Sequence, residues 1–212
     1  MPSWNIHLEA ANRALKKLHF SPVEKKEFLV GCLLPDINNG YINQAKILKA
    51  HEETHYAFDK KSSLNFYAEN QSKIDQKSPI FLGYLFHLFT DGYFNYDFYR
   101  TIKRDEKYQN LSRPEKRKIK HHDFWIYDTK FNHALNLTLK DSENLARVAN
   151  TVPAVDISSD DLLNVDDILK SGKLSQSIKD KTYIFYTETR LDALLEEMIN
   201  SFAKKYLGES YA

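Results

Sequence analysis

The 212 residues suit one domain, and a chain of this length buries enough surface to fold without a disulfide or metal staple. Six Gly and six Pro are too few for a turn-rich sandwich, a collagen-like repeat or a long linker, and 30 Lys and Arg against 29 Asp and Glu give no global pull toward nucleic acid or a membrane surface. The single cysteine, Cys32, excludes a disulfide framework and a multi-cysteine zinc site, which leaves His, Asp and Glu as the available metal ligands.

The first stretch, MPSWNIHLEAANRALKK, has no basic start followed by an apolar run and does not read as a secretory signal. No segment approaches the ~18 apolar residues of a membrane span, so the expected location is the cytoplasm. Trp4, Leu8, Ala11, Leu15 and Leu18 recur at helical spacing and predict a first helix. Ser21-Pro22-Val23-Glu24 is a capping box with Pro at the first helical position; it opens a second helix ending near Pro35-Asp36. Residues 38–43 read as a loop, and Ile47, Leu48, His51, His55 and Phe58 share one face of a third helix. After Ser78, the segment PIFLGYLFHLFTDGYFNYDFYRTI is apolar or aromatic nearly all round, the pattern of a central helix over about residues 79–104 buried by its neighbours. Ser112-Arg113-Pro114-Glu115 is a second capping box, and a helix is expected over 124–139. Residues 151–160 form the clearest connector. The last helix spans about 182–206, with Leu191, Leu194, Leu195, Met198, Ile199 and Phe202 inward. No strand-type alternation persists and no repeat is visible. The expected fold is all-α: a single domain over 1–212, a multi-helix bundle around the buried central helix.

Charge is unevenly placed. Nine basic and three acidic residues lie between Arg100 and Lys120, and seven acidic residues with one Arg between Asp141 and Asp167. These read as two solvated faces that attract each other, or functionally as a basic rim drawing anionic substrates such as phosphates.

The chemistry sits on the central helix. His87 and Asp91 are four apart and share one face among Leu85, Phe86, Leu88, Phe89 and Phe94. An imidazole and a carboxylate in such surroundings are costly unless paired or bound to a cation. Gly83 and Gly92 flank them and leave room for close approach, and Asn95 continues the stripe. Asp36 follows an apolar helix at its C-terminal end, where the macrodipole disfavours negative charge; a cation, or simply a turn, would account for it.

The ordered set Trp4-x-x-His7, Pro35-Asp36, Thr54-His55-Tyr56 and Gly83-Tyr84-Leu85-Phe86-His87-x-x-x-Asp91 resembles the zinc-dependent phospholipase C family, which is related to the zinc-dependent single-strand nucleases. The resemblance covers about the first half of the chain. It implies an all-helical, metal-dependent hydrolase of phosphodiester or phospholipid-type esters using two or three zinc ions, with manganese or iron also suited to such ligands. By resemblance, Asp36, His55 and His87 hold one metal, and Asp91 bridges to a second that His7 also binds. A bridging carboxylate sets two cations ~3.5–4 Å apart, a clamp for the attacking and leaving oxygens of a phosphoryl centre. A metal-bound hydroxide is the implied nucleophile, because zinc lowers the pKa of its water to about 7; Asp36 is the catalytic candidate for positioning it. The implied substrate is a small-molecule or lipid phosphoester. There is no specific nucleic-acid signal, and the oligomeric state is not legible.

The chain departs from the family in three ways. Secreted members bind metal through a mature N-terminal Trp, whereas Trp4 is internal; removal of Met1 before Pro2 would free an amine near His7. Six residues after the bridging Asp the family has a His, where this chain has Asp97. The family's later His and His-x-x-x-Glu pair is replaced by His121, His122, Asp123 and Asp128, then His133. Together with Asn95 and Asp97, these are candidates for an altered third metal site or a phosphate site, or else belong to a solvated helix start. A second expectation follows: a member that keeps its metal for stability and has lost turnover. Two rival motifs remain. His51-Glu52-Glu53-Thr54-His55 fits the zinc-protease signature, with Glu52 as base and Glu69 as a third ligand, but no strand-bearing region accompanies it; His51 is otherwise a spare ligand or a core histidine. His87, His122-Asp123 and Asp161 would make an HD-type phosphohydrolase. No nucleophile elbow, phosphate loop or dinucleotide glycine cluster appears, and Cys32 reads as structural.

Overall fold

Apolar side chains at helical spacing need partners on every side of the central helix, and the other helices supply them. The computed structural model describes residues 3–40, 45–56, 61–172 and 181–208; these form ten α-helices and a short π-helical turn, with no strand among the described residues. α1 (Trp4–Leu15) starts on Ser3, whose side chain accepts from the Ile6 N–H, and α2 (Pro22–Gly31) opens on the Ser21–Glu24 capping box. After α3 (Leu34–Ile37), α4 (His51–His55) and α5 (Ser62–Asp75) comes the central helix, α6 (Pro79–Ile102). α2 and α5 pack most extensively against it, with α1, α3, α7 (Arg113–Asp128) and α10 (Glu188–Phe202) also in contact. α8 (Leu139–Ala149) and α9 (Ser159–Lys170) pair with each other, and α8 reaches α2. Aromatic contacts fill the joints: Phe66 stacks on Tyr84 at 4.5 Å, and Phe86 meets Phe202 edge-on at 4.9 Å. No helix among the described residues is long and apolar enough to cross a membrane.

The all-α bundle, the central helix and the inward face of the last helix are as the sequence predicts. Four details differ. The second helix is broken: α2 ends at Gly31 and a separate turn, α3, carries Asp36, whose N–H bonds to Leu33 O instead of Cys32 O. The third helix is only α4. Asn38 holds the stretch before it out of helix by donating to Ile47 O and accepting from the Lys49 N–H, so Ile47 and Leu48 lie exposed. Phe58, residues 41–43 of the expected loop, Met1 and Pro2 lie outside the described residues. The helix expected over 124–139 is α7, which starts at its capping box and stops at Asp128; buried Asp166 accepts the N–H groups of Leu135, Asn136 and Leu137 and keeps that stretch out of helix, with Asn136 in the left-handed region at φ 52°. α10 begins only after Thr187, its N-cap, because Asp123 accepts the N–H groups of Ile184, Phe185 and Tyr186 ahead of it.

Candidate metal centre

The centre is built where α2 crosses α6. Gly31 and Gly83 meet backbone to backbone: a Cβ on Gly83 would lie 2.2 Å from Phe28 O, and one on Gly31 2.5 Å from Ile80 O. Gly92, by contrast, faces open space, so it makes no close approach. The crossing presents the Cys32 carbonyl, left free by the break before α3, to His87, whose Nδ1 donates to it at 2.7 Å. That bond fixes the proton on Nδ1 and turns the Nε2 lone pair inward.

His55 is prepared in the same way. Thr54 Oγ1 donates to His51 O at 3.3 Å, so its oxygen accepts from His55 Nδ1 at 2.9 Å. The Thr54 carbonyl in turn accepts from the buried Tyr84 hydroxyl, which ties α4 to α6. Two Nε2 lone pairs then face each other at 3.4 Å with no proton to share. Carboxylate oxygens surround them: Asp36 Oδ1 is 3.6 Å from His55 Nε2, Asp36 Oδ2 is 3.9 Å from His87 Nε2, and Asp91 Oδ2 is 3.7 and 3.6 Å from the two. Asp36 is steadied by Trp4 Nε1 on Oδ2 at 3.2 Å and Asn39 Nδ2 on Oδ1 at 2.8 Å.

α1 closes the far side. His7 lies flat on the His87 ring, centroids 3.9 Å apart, with its Nε2 3.3 Å from Asp91 Oδ1. That contact lacks hydrogen-bond angles, so both ring nitrogens of His7 and both oxygens of Asp91 are buried without a hydrogen-bond partner among the described residues. Each such atom costs ~1–3 kcal/mol. Asp91 thus turns Oδ1 to His7 and Oδ2 to His55 and His87, the disposition of a bridging carboxylate.

Electrostatics keep the donors ready for a metal. Burial, reinforced by His7, pushes His87 down to about 3 against the pull of Asp36 and Asp91, so the ring is neutral near neutral pH. Burial likewise lowers His55. Burial pushes the Asp91 carboxyl up, but His7 and His87 outweigh it and hold it well below the usual range. Among the described residues, two groups could each hold an ion, His7–His87–Asp91 and Asp36–His55–His87; all members are buried, and the ligand atoms of each lie within 4.8 Å of one another. Imidazole and carboxylate donors suit zinc.

The remaining candidates go elsewhere. His51 lies tilted against His55 with ring centroids 3.7 Å apart, while Glu52 and Glu69 are exposed. Asn95 accepts from Lys120. Asp97 is spent on Tyr186, Arg100 and Arg190, and Asp123 on the three N–H groups before α10. His122 meets Thr182 O, His121 lies edge-on to Trp125, and Asp128 binds Ser3 and Asn5 at the start of α1. His133 pairs with Glu9, and Asp161 caps α9. Sequence reasoning missed Thr54 and Asn39 as supports, and Lys120. Only Thr54, adjacent to a ligand-type histidine, carried a local signal.

No curated protein and no solved structure matches the chain at a significant level. The family model described as zinc dependent phospholipase C matches residues 6–211, nearly the whole length, and covers the centre and every helix from α2 to α10. The chain belongs to the zinc-dependent phospholipase C family.

Proposed function

We propose that this chain, acting as one domain, hydrolyses a lipid or small-molecule phosphodiester with two zinc ions, one held by Asp36, His55 and His87 and one by His7, with Asp91 between them. The observation that carries the reading is the all-acceptor cluster: two facing Nε2 lone pairs 3.4 Å apart, ringed by two carboxylates, with no proton donor between them. A cation removes that repulsion and satisfies the Asp91 oxygens and the Nε2 lone pair of His7, leaving only the His7 Nδ1–H without a partner among the described residues. Family membership supplies the reaction class, metal-dependent phosphoester hydrolysis. Bound zinc supplies Lewis acidity, polarising a phosphoryl oxygen and acidifying water. The chain's part is positional. The Cys32 carbonyl and Thr54 aim the imidazoles, and Trp4 and Asn39 hold Asp36 with lone pairs left to orient a water. The engagement of Asp97, Asp123 and His122 in internal hydrogen bonds favours two ions over three.

Elemental analysis of gently purified protein, followed by hydrolysis of bis(p-nitrophenyl) phosphate with and without chelator, tests this. Two zinc ions per chain and chelator-sensitive turnover are expected. Bound zinc with no turnover, at several pH values and with added zinc or manganese, would leave a metal that serves stability alone. His87→Ala should lose the metal and the activity together.

A further inference from the structure

Among the described residues, Lys26 pairs with Asp141, Lys130 with Glu188 and Asp192, and Lys170 with Asp166, all near the surface. Lys120 is different. It is 5% exposed, and its ammonium donates to the neutral carbonyl of Asn95 at 2.6 Å and lies 5.4 Å from the Tyr99 ring centre, with no carboxylate paired to it among the described residues. Lys116, one turn earlier on α7 and also buried, ties down the preceding loop through Gln109 O. Among the described residues Lys120 holds no loop.

Its place gives it a use. Asn95 stands one turn beyond Asp91 on α6, on the stripe that carries His87 and Asp91. Lys120 is close enough to the centre that Asp91 supports its charge, although burial is the larger influence and lowers its pKa. With two divalent ions against two carboxylates and neutral imidazoles, the proposed centre already carries surplus positive charge. A further buried cation beside it is not a counter-charge for the protein; it is complementary to an anion that comes and goes.

We propose that Lys120, held by Asn95, binds a phosphate oxyanion at the edge of the metal centre, in the substrate diester or in the phosphate monoester released from it. The proposal rests on the phosphoester reading of that centre. An ammonium at a fixed donor–acceptor distance supplies a positive charge that no water rearrangement has to create.

Titration calorimetry on zinc-loaded full-length protein, with inorganic phosphate and separately with dimethyl phosphate, tests it. Lys120→Met should weaken phosphate at least about tenfold, leave zinc content unchanged and not lower Tm, while Lys120→Arg restores most of the affinity. Weakening with both probes assigns Lys120 to substrate as well as product; weakening with phosphate alone assigns it to product. Unchanged affinity overturns the inference, as does a loss that merely tracks lost zinc or a lowered Tm. Should Lys120→Met fail to fold, Asn95→Ala carries the same test, with several-fold weaker phosphate at full zinc content expected and unchanged affinity overturning it. Zinc-loaded wild-type protein that binds neither probe ends the phosphoester reading itself, whereas wild-type binding with an unaffected Lys120→Met ends only the role of Lys120.

Discussion

Thr54 does for His55 what the Cys32 carbonyl does for His87: each takes the Nδ1 proton and leaves Nε2 as a lone pair. The two devices differ in how they can be tested, because a backbone carbonyl cannot be mutated and a hydroxyl can. Thr54→Val keeps the shape and removes the acceptor, so the His55 ring loses its tautomer lock and orientation. Zinc affinity should fall ~10–100-fold while the fold is retained, as read by competition with a chromophoric chelator. An unchanged affinity means that another group holds His55. Asp91 offers a second test at this scale. Asp91→Asn preserves volume but removes the charge that faces both ligand groups, so the zinc count should drop from two per chain to one or none. Two ions retained in the variant would refute a bridging role.

At the scale of elements, the α2–α6 crossing sets the site, because the glycine contact brings the Cys32 carbonyl to His87. Gly83→Ala forces its Cβ against Phe28 O, and backbone cannot swing away as a side-chain end would. A cost of ~1–3 kcal/mol or more is expected from denaturant unfolding, with zinc affinity falling in parallel as the crossing widens. Gly92→Ala has open space and serves as the control. Gly83 was legible in the sequence because a glycine amid bulky apolar neighbours marks close approach; Gly92 looks the same and does nothing of the kind. α6 was legible because a helix surrounded by others must be apolar all round. The stretch before α4 and the end of α7 were not, since Asn38 and Asp166, distant in sequence, take the backbone groups that local periodicity assigns to helix. α8 and α9 do carry capping boxes, Thr138–Asp141 and Ser158–Asp161, with Asp in place of the usual Glu at the third position, which weakens the signal. His87 and Asp91 could be picked out because polar groups on an apolar helix are expensive, Asp36 because it stands at a helix C-terminal end, and His7 and His55 through the ordered set that resembles the family. Their supports could not: a main-chain carbonyl leaves no trace in the residue code, and the burial of Lys120 depends on where α7 lands.

For the molecule as a whole, the centre joins α1, α3, α4 and α6, so an ion there adds a cross-link to helices already tied by packing and by the Trp4–Asp36 and Tyr84–Thr54 hydrogen bonds. Zinc at about a hundred times its dissociation constant adds ~2.7 kcal/mol per independent site, and for a chain of this size that is a rise in Tm of ~5–10 °C. Chelation should remove it reversibly. The gain depends on pH in a fixed direction. His87 lies at about 3 in the folded protein against an ordinary 6.5, so on acidification the unfolded chain takes up the proton first. The stability of the neutral imidazole is therefore complete above about 6.5 and is lost as the pH falls toward 3. Asp91, held low, adds to the loss at the acid end. Zinc competes with protons for the same nitrogens, so its own increment should shrink over the upper part of that window. Melting curves at about pH 8 and about pH 5, with and without chelator, separate the two effects: a large chelator-sensitive difference at the higher pH and little at the lower. Identical curves with and without chelator at both values would mean that no ion braces the bundle, and that the facing lone pairs of His55 and His87 are relieved some other way.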